Sequence, residues 1–326
     1  MFVKIDLVNQ PMLVTGAARV LPVDRNGVQL CRMTAGLNDF YSYSEAARIR
    51  AFCTAGARIA FSSTTPWVRL RIRYGRESRQ LYKVDFIVDG HVSSIGPDTR
   101  EETATIKLEG LHATEKNIEL YLPHCCEAIV ETLEIADGST LQPIPRKSRT
   151  WLAIGDSITQ GMTAQTPSRT FAVTAARALG VELHNIGVGG ATMQVEVGKL
   201  ALELPWDLAT VAFGVNDFSQ DRPLEEVATQ TRQMLENLTS RGCPIFLLTP
   251  IPWAKRTEPN KIGLSLTDYR NTIAAAGRSF PAVTVVHGEN LVPDDPQLFV
   301  DNIHPNDDGM AVYARNLAKV LEERLR

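Results

Sequence analysis

Ser157 stands in Gly155-Asp156-Ser157-Ile158-Thr159, directly after the apolar run Trp151-Leu152-Ala153-Ile154, and Asp301-Asn302-Ile303-His304-Pro305 lies near the C-terminus. A serine hydroxyl is a weak nucleophile until a histidine takes its proton and a carboxylate orients that histidine. The chain holds all three residue types where one α/β unit can bring them together. Gly155 allows a sharp exit from a strand, so that Ser157 presents its hydroxyl at the sheet's edge and its own N–H toward a developing oxyanion. A spacing of three puts Asp301 and His304 on one side of a helical turn, one ring nitrogen on the carboxylate and the other turned to Ser157. Pro305 then begins the final helix. Gly-Asp-Ser is also ordinary turn composition, so for the first segment alone a solvated turn is the plain alternative.

Two more segments fall at expected strand ends. In Asn185-Ile186-Gly187-Val188-Gly189-Gly190 the glycines let the backbone approach a ligand, and the Gly190 N–H can be a second oxyanion donor. A dinucleotide-binding loop is disfavoured, because the spacing is not Gly-x-Gly-x-x-Gly and no acid-ended strand follows. In Gly214-Val215-Asn216-Asp217 the Asn216 amide can donate to the same oxyanion, although an Asn-Asp turn between strand and helix reads equally well in isolation. The other five histidines, His91, His112, His124, His184 and His287, are read as surface or satisfied core residues; His287 is the rival base, without an acid at short spacing before it.

The elements that must position these residues change character along the chain. Up to about residue 145 the pattern has period two: Val68-Arg69-Leu70-Arg71-Ile72-Arg73 and Tyr82-Lys83-Val84-Asp85-Phe86-Ile87-Val88 alternate, and Asp89-Gly90 marks a hairpin. Segments 103–108, 118–122 and 128–133 read the same way, with almost no helical period, which predicts a β-sandwich or jelly roll over 1–145. Leu141-Gln142-Pro143-Ile144-Pro145-Arg146-Lys147-Ser148 is the linker. From 149 to 326 strands at 150–155, 181–186, 208–214, 244–249 and 282–287 alternate with helices near 168–180, 194–203, 223–241, 266–279 and 306–325. That order predicts a parallel sheet covered on both faces, with function at the C-terminal strand ends.

Composition narrows the classes. The 326 residues are 44% hydrophobic and 22% charged with net charge −3, which suits a globular protein and offers no basic excess for nucleic acid. The N-terminus shows no signal-peptide pattern, and no run approaches the roughly 20 apolar residues of a membrane span. Cys31, Cys53, Cys125, Cys126 and Cys243 are odd in number and lack metal-ligand spacing. Reduced, mostly buried thiols in a cytoplasmic protein are the expectation.

The four strand-end segments, in this order, resemble the SGNH or GDSL hydrolase superfamily over about 149–326. The resemblance implies a flavodoxin-like α/β/α sandwich, with Ser157 as nucleophile, His304 as general base and then acid, and Asp301 as orienting acid. It implies an oxyanion hole of the Ser157 and Gly190 N–H groups and the Asn216 side chain, an acyl-enzyme resolved by water, and no metal or organic cofactor. Ile158 stands where the family's older name has leucine. With Arg32-Met33-Thr34-Ala35-Gly36 and Gly56-Ala57-Arg58-Ile59-Ala60-Phe61, the whole chain is similar to SGNH esterases with an N-terminal jelly roll, such as family-2 carbohydrate esterases and related acetylesterases.

The expected activity is removal of small acyl groups, acetyl first, from a carbohydrate or other hydroxylated small molecule. An O-acyltransferase would use the same triad on an alcohol acceptor. A glycan-binding module with a merely structural α/β half is the reading from outside enzymology. Trp253 and Phe218 are candidate substrate contacts, and Trp253-Ala254-Lys255-Arg256-Thr257-Glu258-Pro259 is a candidate lid. Arg69, Arg71, Arg73, Arg76 and Arg79 form either an anion-binding stripe or a solvated strand face, and Tyr41, Tyr43 and Trp67 either stack sugars or pack. No nucleic-acid or membrane partner is expected, and a homo-oligomer is left open.

Overall fold

A computed structural model describes residues 1–24 and 27–325. The alternating segments of the N-terminal half form two antiparallel sheets of six strands each. In the first, Arg19–Asp24, Gly27–Cys31, Cys126–Ala136, Trp67–Glu77 and Thr103–Glu109 lie side by side, and Phe2–Lys4 pairs with Cys126–Ala136. The second runs Gln142–Pro143, Arg58–Ser63, Lys116–Tyr121, Val84–Val88 and His91–Ile95, with Val14–Thr15 on Arg58–Ser63. Apolar residues of the inner faces, among them Leu70, Ile72, Phe86, Ile118 and Leu120, make the core between the sheets. The Asp89-Gly90 turn joins its two strands with positive φ at both residues (46° and 89°), as a tight hairpin turn requires.

The outward arginines of Trp67–Glu77 are not a free cationic stripe. Arg69 pairs with Glu134, Arg71 with Glu131 at 2.7 Å, Arg73 with Glu131 and Asp24, and Arg76 with Glu127 at 3.0 Å. These carboxylates come mainly from the neighbouring Cys126–Ala136, so the face reads as cross-strand ion pairs on a solvated surface.

The C-terminal half is a five-stranded parallel sheet in an α/β/α sandwich. Its strands are Thr150–Gly155, Glu182–Asn185, Leu208–Ala212, Ile245–Leu248 and Val283–Val286, in the spatial order second, first, third, fourth, fifth. The first four are buried on both faces and the edge strand Val283–Val286 only partly, so the apolar residues of the sheet split by parity. Trp151, Ala153, Phe246 and Leu248 pack on one face beneath helices Phe171–Leu179 and Asp307–Leu325. Leu152, Ile154, Ile245 and Leu247 pack on the other beneath Val195–Leu200, Leu224–Thr239 and Leu266–Arg278. The chain reverses direction of winding at the first strand, which places the ends of strands one, two and three side by side.

One feature departs from the expected pattern. Residues 35–52, in the half with little helical period, carry two short helices, Ala35–Phe40 and Glu45–Phe52. Met33, Leu37, Tyr41, Ala47 and Ala51 from this segment lie in one core with Leu152, Ile154 and Val211 of the parallel sheet. Met33 and Leu37 contribute about 1.5–3 kcal/mol each by burial and each alanine methyl about 0.8 kcal/mol, so the two halves are joined by a shared core. Six- and eight-residue helices are too short to show a clear period in sequence. Tyr41 is thereby a core residue, whereas Tyr43 is exposed.

Candidate active site

Ser157 is the first residue of the short helix Ser157–Gln160, which opens directly off the first strand. Asp156 caps that helix, its Oδ1 accepting from the Ile158 N–H at 2.9 Å. Gly155 is required by close approach: a Cβ there would lie 2.2 Å from Thr159 Oγ1 and 2.6 Å from the Ala212 carbonyl oxygen. The strand can therefore turn into the helix while touching its neighbour, and Ser157 ends up at the sheet's edge.

His304 approaches from the other end of the chain, with Nε2 2.8 Å from Ser157 Oγ. Its Nδ1 lies 2.8 Å from Asp301 Oδ2 and 3.1 Å from Oδ1. An ionised carboxylate only accepts, so Nδ1 carries the proton and donates to Asp301. Nε2 is then the free lone pair to which the Ser157 hydroxyl donates. The serine and the imidazole are largely buried, while the Asp301 side chain is 43% exposed.

The Asp301-to-His304 reach is not made by a helical turn. Residues 301–304 form bends, Asn302 sits at φ 65°, and Asp301 Oδ1 accepts from the Ile303 and His304 N–H groups at 3.1 and 2.8 Å. This is an Asx-type turn, in which the side chain stands in for a backbone acceptor. Pro305 does not begin the helix either. It pairs with Phe299 in an isolated bridge, and Asn306 caps Asp307–Leu325 through the Gly309 N–H at 2.9 Å. Burial works to raise the Asp301 pKa, but the His304 N–H and ring and the Ile303 N–H outweigh it and leave the carboxyl below its usual range.

The loops after strands two and three stand beside this group. Gly190 is exposed with φ 79°, a left-handed conformation suited to glycine. The Gly189 N–H donates to Gln160 Oε1 at 2.9 Å, tying that loop to the serine's own helix. Asn216 lies on Val215–Ser219 and donates one amide N–H to the Ala191 carbonyl at 2.9 Å. Its neighbour Asp217, fully buried, accepts from the Met193 N–H and pairs with Arg222. The Asn-Asp pair is thus more than a turn: it anchors residues 191–193 from the adjacent strand end.

The remaining expected contacts divide. Phe218 is buried, and its ring meets Trp253 edge-on at 5.7 Å, while Trp253 is only half-buried. Arg256 lies over both rings, 4.9 and 4.3 Å from their centroids. Both aromatics line a cavity of about 380 Å³ with Arg256, Glu258, Arg270 and Glu289. The loop that carries Trp253 touches the 301–304 turn, the Ala254 N–H donating to the Asn302 carbonyl at 2.7 Å. His287 is exposed, and the Ser157 hydroxyl bonds to His304 instead.

Among the other histidines, His91 and His112 are exposed and His184 is a satisfied core residue, its Nε2 2.6 Å from the Arg32 carbonyl. His124 is a buried core residue: burial holds its pKa down at about 4, against the Gly161 and Ala164 backbone, which favour the charged ring but lie outside good hydrogen-bond geometry. Asp156 is buried too, which pushes its carboxyl up to about 7 despite the Ile158 N–H, with Asp217 pushing the same way. Four of the five cysteines are buried and all five are free. Among the described residues no group of three or more His, Cys, Asp or Glu can hold a metal ion, and no helix is long and apolar enough to cross a membrane.

The contacts of two arginines have no counterpart in the sequence pattern. Arg32, fully buried, donates to the carbonyls of Cys53, Arg50 and Asn185 at 2.7, 2.7 and 2.9 Å. Arg50 Nη1 donates to the Gly189 carbonyl at 3.0 Å. Both come from the N-terminal half and reach the strand-two loop. The local signals for the two short helices are the N-capping Thr34 and Ser44, with Glu45 in the first turn of the second.

Residues 153–312 match the model of the GDSL-like Lipase/Acylhydrolase family. No curated protein matches the chain in sequence. In three dimensions the chain is similar to a salicylyl-acyltransferase from a tetracycline biosynthetic pathway, with TM-score 0.83, 21% identity, and 96% of each chain covered. It is also similar to a protein described as a GDSL-like lipase from Bacteroides ovatus, with TM-score 0.80 and 17% identity over 100% of this chain and 98% of that one. A family two carbohydrate esterase from Clostridium thermocellum gives TM-score 0.67 and 17% identity over 96% and 99%. At these identities the likeness is one of fold: an N-terminal all-β unit followed by the parallel α/β/α half.

Proposed function

We propose, on the premise that residues 153–312 carry a domain of the GDSL-like lipase/acylhydrolase family, that this protein is a serine esterase. It removes small acyl groups, acetyl first, from a carbohydrate or other hydroxylated molecule. The observation that carries the reading is the continuous hydrogen-bonded chain from Ser157 Oγ through the His304 ring to Asp301.

His304 Nε2 takes the hydroxyl proton as Ser157 Oγ attacks the ester carbonyl. Asp301 holds the ring in the tautomer that allows this and stabilises the imidazolium that forms. The Ser157 and Gly190 N–H groups and the Asn216 amide take the negative charge on the former carbonyl oxygen. The imidazolium then protonates the departing alcohol, leaving an acyl-enzyme. A water, deprotonated by the same ring, releases the acid and restores Ser157. Trp253 and the cavity beside it flank the alcohol part of the substrate.

An alcohol can use the same base as water, so the geometry serves an O-acyltransferase equally well. Hydrolysis of 4-nitrophenyl acetate, butyrate and octanoate by the wild type and Ser157→Ala separates the readings. Turnover that falls with chain length and disappears in the variant supports the esterase. Turnover only with an added alcohol acceptor moves the protein to the transferases. Equal activity in Ser157→Ala excludes the mechanism.

A further inference from the structure

The helix Glu45–Phe52 of the N-terminal half reaches the proposed oxyanion loop through Arg50. It is held at both ends: the Ser44 hydroxyl accepts from the Ala47 N–H, and the buried Arg32 guanidinium bonds the Arg50 and Cys53 carbonyls. The third bond from Arg32 goes to the Asn185 carbonyl at the end of strand two, so helix and strand end are clamped to one cation. Gln160 Nε2, on the serine's helix, also reaches the Arg50 carbonyl at 3.4 Å.

Arg50 is half-buried on this fixed support. Its Nη1 donates to the Gly189 carbonyl, and the same nitrogen lies 3.1 Å from where a Cβ on Gly190 would stand. A guanidinium presents five N–H donors in a planar fork. Beyond that single bond, the Arg50 fork has no hydrogen-bond or carboxylate partner among the described residues. The arginines of the sandwich face differ, each of Arg69, Arg71, Arg73 and Arg76 having a glutamate across the strand. An open fork beside an ester-binding loop is suited to a planar or tetrahedral anion, and partial burial reduces its screening by salt.

We infer that Arg50 is a specificity-determining residue, which receives a carboxylate or phosphate carried by the substrate a few bonds from its ester carbonyl. This rests on the esterase reading above and names the substrate class more narrowly: esters with an anionic group on either the acyl or the alcohol part.

The test compares kcat/KM of wild type, Arg50→Gln and Arg50→Lys on 4-nitrophenyl acetate, mono-4-nitrophenyl succinate and 4-acetoxybenzoate. Succinate carries its charge on the acyl part, acetoxybenzoate on the leaving alcohol, so the two arms tell which side faces Arg50. For at least one of them the preference over the neutral acetate falls about tenfold or more in Arg50→Gln, through KM, with partial recovery in Arg50→Lys. A purely structural arginine lowers all three esters in the same proportion, which overturns the inference. Calorimetric binding of succinate and of 4-hydroxybenzoate to Ser157→Ala, with and without Arg50→Gln, needs no turnover. Arg50-dependent binding without esterase activity removes the function but leaves the anion site, and Arg50-independent binding, or none, removes the site.

Discussion

Arg32 Nη1 donates to the Asn185 carbonyl at 2.9 Å, joining two residues 153 positions apart in a fully buried contact. The cation has no carboxylate beside it in the hydrogen bonds it makes; three carbonyl oxygens satisfy it, two of them at the C-terminal end of Glu45–Phe52, where the helix dipole favours positive charge. Burial lowers its pKa to about 10, which still leaves it charged at neutral pH. Replacement by methionine keeps the volume and strips the donor from the Cys53 and Asn185 carbonyls, while the Arg50 carbonyl keeps the Cys53 N–H and Gln160 Nε2, each at 3.4 Å.

Arg32→Met is therefore expected to lose about 2 kcal/mol or more of unfolding free energy, from about 1–3 kcal/mol for each of the two carbonyls left unsatisfied. Arg32→Lys, with a single ammonium for three diverging acceptors, recovers only part of it. Urea denaturation of the three proteins measures this, and a change below about 1 kcal/mol in Arg32→Met removes the clamp from the account.

Asp301→Asn keeps an oxygen for the Ile303 and His304 N–H groups but no longer fixes the imidazole in the tautomer that accepts from Ser157. We expect kcat on 4-nitrophenyl acetate to fall about ten-thousandfold, the loss known for the same change in such an orienting acid, with little change in melting temperature. Retained activity would show that the half-exposed carboxylate is not needed for orientation.

Asn216→Ala removes the third proposed oxyanion donor. Loss of such a donor costs about 10²–10³ in kcat, and KM should change far less, because the bond strengthens only as charge develops. A rise in KM alone would reassign Asn216 to holding the Ala191 carbonyl.

Asp156 gives a dependence on pH with a definite sign. Its carboxyl is raised to about 7 in the folded protein against an ordinary value near 4. The folded state thus binds the proton more tightly than the unfolded chain, so stability falls as pH rises from about 4 to about 7. Asp156→Asn keeps the oxygen that caps the Ile158 N–H and cannot ionise. Its unfolding free energy should exceed that of the wild type at pH 8 and lose the advantage at pH 4, as read by urea denaturation at both values. A stability difference independent of pH would contradict the shift.

The five parallel strands were legible because each is an apolar run bounded by glycine, proline or a polar turn, and the sandwich strands because they alternate with period two. Ser157 and His304 were legible for a related reason: a small residue at a strand exit and an acid three residues before a histidine are local patterns. The geometry behind the second was misread, since an Asx turn at 301–304 delivers the same pairing as a helical turn. Of the two settings expected for His124, surface or core, the structure takes the core, with the Gly161 and Ala164 backbone facing the ring. Whether a buried ring finds a partner depends on which backbone is packed against it, and no sequence window shows that.

Local chemistry along the chain determined the kinds of element, their order, and the serine, histidine and aspartate that could act together. Tertiary structure alone decided that helices at 35–52 leave the sandwich and share a core with the parallel sheet, and that Arg32 and Arg50 reach the Asn185–Gly190 segment. The physical reason is range. Periodicity and turn preference act over a few residues, whereas these contacts join positions more than a hundred residues apart. They exist only once burial has brought the two halves of the chain together.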